Sequence, residues 1–150
     1  MKRPRIWYIV MNAHRARILR ELPGIRDPLP TEITMQGHRR SVGEVKRDRP
    51  TRSFASAGGR RRSAVAPGSD PLEEDARNFM RDVQAFLEKE AQIGAFEELV
   101  LIAPAETIGL WRAQAPEGLA NCVRREIVKN LVRFSGRELV AAIRALVSHE

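Results

Sequence analysis

Nine lysines and arginines fall between residues 39 and 62: Arg39, Arg40, Lys46, Arg47, Arg49, Arg52, Arg60, Arg61 and Arg62, against two acids, Glu44 and Asp48. The chemistry open to such a stretch is the capture of anions. A guanidinium fork meets a phosphate or carboxylate with two parallel hydrogen bonds, and each cation that neutralises a polymer charge releases a counterion, so binding weakens as salt rises. Gly58-Gly59 lets a backbone approach closely, and successive N–H groups there can form a concave anion nest. The candidate anion-binding residues are Arg49, Arg52, Ser53, Gly58, Gly59, Arg60, Arg61 and Arg62. Charge arithmetic singles out the same region. Nine cations less two acids is +7, the formal net charge of the whole 150-residue chain, so everything outside the stretch sums to zero. The competing reading is a solvated loop whose arginines keep the protein soluble or pair with acidic helix faces.

Other chemistries fail on inventory. Metal-dependent hydrolysis needs converging carboxylates, but the turn after the first apolar run offers Asn12 rather than an acid. Asp70, Glu73, Glu74 and Asp75 cluster where a helix starts, and capping and the macrodipole account for them. His14, His38 and His149 match no His/Cys ligand spacing, although His14, beside Arg15 and Arg17, could touch an anion from an exposed turn. Cys122, the one cysteine, has no disulfide partner within the chain and reads as a small buried hydrophobe. Ser53 and Ser56 have no evident base, and no Gly-Lys-Ser/Thr follows Gly58-Gly59 to make a phosphate-binding P-loop. No metal, cofactor or enzyme activity follows from the sequence.

The elements that must position these residues can be read from periodicity. Ile6 to Met11 is a continuous β-branched and aromatic run, as in a strand buried on both faces. Ala16 to Leu22 reads as a second strand with Ala16, Ile18 and Leu22 inward, ended by Pro23-Gly24. Pro30 to Met35 reads as an edge strand opened by a proline. Residues 38–69 form a long basic loop. Asp70 then caps a helix with Pro71 at its first position and Glu73 completing a capping box; Leu72, Ala76, Phe79, Met80, Val83, Phe86 and Leu87 keep helical spacing, and Gly94 ends it. Leu99 to Ala103 is a second buried strand, followed by a helix over 106–115 that Pro116 and Gly118 break. Val123 to Val128 is the last strand. Ser135 and Glu138 frame a capping box before a terminal helix with Leu139, Val140, Ile143, Leu146 and Val147 along one stripe. The order β-β-β-loop-α-β-α-β-α defines an α/β chain of one domain, 1–150, with a mixed β-sheet and helices packed on it.

The opening strand with Trp7, the Ala16-Arg17 pair, the block Asp48-Arg49-Pro50-Thr51-Arg52-Ser53-Phe54-Ala55-Ser56-Ala57-Gly58-Gly59, Asp70-Pro71, the run Leu99 to Pro104 and Lys129-Asn130-Leu131 together resemble the bacterial host-attachment family. That family is in turn similar to the middle domain of archaeal and eukaryotic peptide-chain release factors and of the ribosome-rescue factor pelota, which implies a release-factor-like or ribonuclease H-like fold. Such release factors carry Gly-Gly-Gln before a long helix. Here Gly58-Gly59 holds that place but residue 60 is arginine, which removes the catalytic glutamine. Asn12 and Asn130 also stand where the host-attachment pattern commonly has aspartate.

The resemblance favours RNA as the anionic partner of the basic loop, whether ribosomal RNA, tRNA or the ribosome itself. The alternative is an attachment or adhesion factor acting on a cell-surface polymer or protein, and a degenerate peptidyl-tRNA hydrolase stands third. Aromatics are 5% of the chain, too few for base stacking to be the main binding mode. The basic N-terminus is followed by an apolar run too short for a signal peptide, and no stretch approaches the roughly 20 apolar residues of a membrane span. The sequence is expected to be cytoplasmic.

Overall fold

A computed structural model describes residues 3–37 and 70–148. β1 (Ile6–Met11) pairs antiparallel with β2 (Arg15–Leu19), and β2 pairs antiparallel with β3 (Ile33–Gln36). The helix α1 (Pro71–Gln92) leads to β4 (Glu98–Ala103), which lies parallel to β1 on its other side. Then follow α2 (Ala105–Gln114), the short α3 (Glu117–Ala120), β5 (Val123–Val128) parallel to β4, and α4 (Gly136–Val147). The strand order is β3-β2-β1-β4-β5. The expected mixed sheet with packed helices is therefore what this sequence folds into.

Strand periodicity makes the sheet two-sided. Along β1, Trp7, Ile9 and Met11 enter one core while Val10 enters the other, as alternation with period two requires. The first core is closed by Phe79, Met80, Val83 and Leu87 of α1, Ile108 and Trp111 of α2, and Leu119 of α3. The second is closed by Leu139, Val140 and Ile143 of α4 with Leu131 and Val132 of the preceding turn. Both central strands are covered on both faces, which explains why their sequences are continuous apolar runs.

Several boundaries move for local reasons. β2 ends at Leu19, and Leu19 faces the second core while Ala16 and Ile18 face the first. Leu22 lies beyond the strand, partly buried against the second core. β3 begins at Ile33, not at Pro30. Asp70 caps α1 through the Leu72 N–H, 2.9 Å away, while the side chain of Glu73 turns to Arg77 at 3.9 Å. At the other end Gly94 adopts φ +77°; its N–H donates to Ala91 O (3.0 Å) and that of Ala95 to Glu90 O (2.9 Å), a Schellman motif. Pro116 does not simply break the chain, since it caps α3. Across β5 the register shifts at Leu99/Val100, so Val123 packs in the first core and Ile127 in the second. That shift accommodates the charged centre of the strand by sending Arg125 to the carbonyl of Leu146 (2.8 Å) and Glu126 to Arg112.

Gly37, the last residue before position 38, has no room for a side chain: a Cβ there would lie 2.9 Å from Cγ of Phe79. Phe79 is buried on α1 and cannot yield freely. Gly37→Ala is expected to cost about 1–3 kcal/mol through overpacking, read as a lower urea midpoint at unchanged slope.

Candidate functional site

All eight expected anion-binding residues, Arg49, Arg52, Ser53, Gly58, Gly59, Arg60, Arg61 and Arg62, lie outside the described residues. The structure does fix where their segment departs and returns. Gly37 donates its N–H to the His14 carbonyl at 2.8 Å and lies against Phe79, and Asp70 caps α1 through the Leu72 N–H. Departure is thus tied to the β1–β2 turn and to α1, and return to the start of α1.

Next to these two points, the carboxyl ends of the parallel neighbours β1 and β4 open a cleft of about 210 Å³. In open α/β sheets such ends are where ligands bind when successive connections leave in opposite directions, as those after β1 and β4 do here. Met11, Asn12 and Ala13 line the cleft from β1, Glu73, Ala76, Arg77 and Met80 from α1, and Glu106, Thr107 and Leu110 from α2. Its walls are apolar with a charged rim. Asn12 is engaged by its own turn: Oδ1 accepts the N–H groups of His14 (2.8 Å) and Arg15 (2.9 Å). This side chain therefore shapes the β1–β2 turn. Among the described residues no group of three or more His, Cys, Asp or Glu side chains could hold a metal ion.

On the opposite face of the sheet sits a residue whose role the sequence did not disclose. Arg17 is 5% exposed. Its Nε donates to Glu32 Oε1 (2.8 Å) and its Nη2 to Oε2 (2.7 Å), a bidentate pair. Its Nη1 donates to the carbonyls of Val132 (2.8 Å) and Phe134 (2.5 Å). The one guanidinium thus ties β2 to the segment before β3 and to the turn that leads into α4. The Arg17 hydrogen bonds hold the Glu32 carboxyl below its ordinary value, helped by the charges of Arg17 and Arg15 and opposed by burial. An arginine inside the run Ala16 to Leu19 was the available signal: a cation on a two-sided strand must find a partner.

The remaining expectations separate. His14 is half-buried, with no hydrogen bond to its Nδ1, so it is not the exposed turn histidine the sequence suggested. Cys122 is only partly buried; its Sγ lies 3.4 Å from the Gly118 carbonyl, and burial raises its pKa. Asn130 is exposed beyond β5. Arg5, Arg112 and Arg124 pair with Glu97, Glu126 and Glu98, which neutralises the surface beside β4 and β5. No helix among the described residues is long and apolar enough to cross a membrane.

The fold and its cleft define an α/β protein with a mixed sheet and a packed core on each of its faces. The chain belongs to the family described as protein required for attachment to host cells, whose model matches residues 7–143. No curated protein matches it.

Proposed function

We propose that this chain serves attachment to host cells as a non-catalytic binding protein, and that the basic segment within 38–69 contacts an anionic polymer of the cell surface. The family carries the reading: its description names attachment and no reaction. The formal charge of +7, all of it accounted for by residues 39–62, supplies the chemistry for a polyanion. Arg49, Arg52, Arg60, Arg61 and Arg62 supply the charge, Ser53 a hydroxyl, and Gly58 and Gly59 a close backbone approach. The whole chain, 1–150, acts as one domain, in which Gly37 and Asp70 join this segment to the β1–β2 turn and to α1.

A second reading keeps the same residues and changes the polymer to ribosomal RNA or tRNA in the cytoplasm. The strand order β3-β2-β1-β4-β5, with β2 and β3 antiparallel, supports a likeness to the release-factor middle domain and to ribonuclease H-like folds, as does Gly58-Gly59 ahead of α1. Arg60 in place of glutamine argues against peptidyl-tRNA hydrolysis.

One experiment separates the two. Cells lacking the chain, complemented by wild type or by Arg60→Ala/Arg61→Ala/Arg62→Ala, are scored for host-cell adherence, and the purified proteins are tested on host-cell surfaces and on ribosomes over a salt series. Attachment predicts adherence and salt-sensitive surface binding with wild type that the triple variant loses. Removing three contacts also lowers the salt slope by about 2. Ribosome co-sedimentation without surface binding would establish the second reading instead.

A further inference from the structure

Beyond the basic segment, we infer that the turn into α4 is a second polyanion-binding surface, built from Lys129, Arg133, Phe134 and Arg137 and suited to an acidic polysaccharide; the choice of polymer rests on the attachment reading. Residues 129–137 hold three cations and no acid. All three cations are exposed. The ion pairs formed among the described residues use Arg5, Arg17, Arg77, Arg112 and Arg124 and none of these three. The neighbouring acids are engaged elsewhere, Glu138 in the capping box of α4 and Glu32 by Arg17.

Two further features set this surface apart from an ordinary solvated face. Arg137 stands in the first turn of α4, where a cation is disfavoured by the helix dipole, so helix stability does not explain its presence. Phe134, between Arg133 and Arg137 in sequence, is 39% exposed and is the one aromatic among the large exposed hydrophobics of the described residues. The backbone beneath is fixed. Arg17 holds the carbonyls of Val132 and Phe134, Phe134 N–H donates to Leu131 O at 3.1 Å, and Ser135 and Glu138 close a reciprocal capping box at 3.2 and 3.0 Å. A turn whose backbone is already ordered adds no backbone ordering cost to binding.

The single aromatic is suited to a sugar. Single-stranded nucleic acid stacks its bases on aromatic or guanidinium planes, and Arg133 and Arg137 would offer such planes too, so the preference for a saccharide comes from the attachment reading. A sugar needs only one ring: the C–H face of a pyranose packs on the electron-rich face of a phenyl ring, while flanking sulfates or carboxylates meet Lys129, Arg133 and Arg137.

The test uses the full chain and size-defined heparin fragments, with poly(U) and neutral dextran beside them, over a salt series. Lys129→Ala/Arg133→Ala/Arg137→Ala is expected to bind heparin about tenfold more weakly than wild type, with a salt slope reduced by about 2. Phe134→Ala is expected to weaken binding with the slope unchanged, which a purely electrostatic surface would not show. A thermal melt matching wild type keeps the comparison free of misfolding, and Lys129→Arg/Arg133→Lys/Arg137→Lys should retain binding. Wild-type affinity and slope in the alanine variant would overturn the inference, as would tighter binding of poly(U) than of heparin. If the Arg60/Arg61/Arg62 variant alone loses heparin, this surface fails and the attachment reading stands. If wild type binds no polyanion, both fail.

Discussion

Arg17→Met is expected to cost about 3–5 kcal/mol, the range for breaking a buried ion pair by removing one partner. Side-chain exposure is 6% for Arg17 and 19% for Glu32, so the loss leaves a largely buried carboxylate without its fork and two carbonyls without their donor. Nothing else in the described hydrogen bonds replaces those four contacts. The double variant Arg17→Met/Glu32→Gln should recover part of the loss, because the orphaned charge goes with its partner. A double-mutant cycle by urea denaturation measures the coupling. The consequence is also functional: without the clamp the turn carrying Lys129 to Arg137 loosens, so polyanion affinity should fall even though Arg17 itself is out of reach.

The same pair sets an acid sensitivity. Arg17 lowers the folded-state pKa of Glu32 below its unfolded value. A depressed carboxyl contributes stability that is fully present above the unfolded value of about 4.3 and is lost as pH falls through the folded one. The stability difference between wild type and Arg17→Met should therefore be flat at neutral pH and shrink on acidification below that value. A difference that grew in acid would mean Glu32 is not the group responsible.

Trp111→Ala is expected to cost a further large amount, about 3–5 kcal/mol. Trp111 is 1% exposed and is the largest of the fully buried side chains. It joins α2 to the sheet and to α1, where Gln84 Nε2 also donates to its carbonyl at 3.1 Å. α2 buries little else, chiefly Ile108 and Thr107. Removing the indole should loosen this helix before the others and deform the cleft that Glu106, Thr107 and Leu110 line. Hydrogen exchange should show α2 amides losing protection most, and Trp111→Phe should be milder. Uniform loss across the fold would refute the special dependence of α2 on this side chain.

Much of this architecture was legible without coordinates. The apolar runs of β1 and β4 marked strands buried on both faces, because only a covered strand dispenses with alternation. α1 and α4 announced themselves through caps and spacing, both local effects. β5 was also legible, despite the charges at its centre, since β-branched residues frame it. The boundaries of β2 and β3 were not, because strand ends are set by pairing across the sheet. Leu22 continues the pattern of β2 but finds no partner there.

The candidate sites divide the same way. The basic segment was visible as charge, since a local excess of cations needs no fold to be counted. The cleft was invisible, for Met11, Glu73 and Thr107 share nothing in sequence and meet only because β1 and β4 end side by side. Arg17 was visible as an oddity, but its partners Glu32, Val132 and Phe134 lie 15, 115 and 117 residues away. Fold class, helix ends and the local excess of cations were thus written in the order of residues, because periodicity, capping and net charge act over a few positions. Which cations of the described residues enter ion pairs, where the cleft opens and what holds the α4 turn could be seen only in the folded chain, because each depends on groups brought together from distant positions.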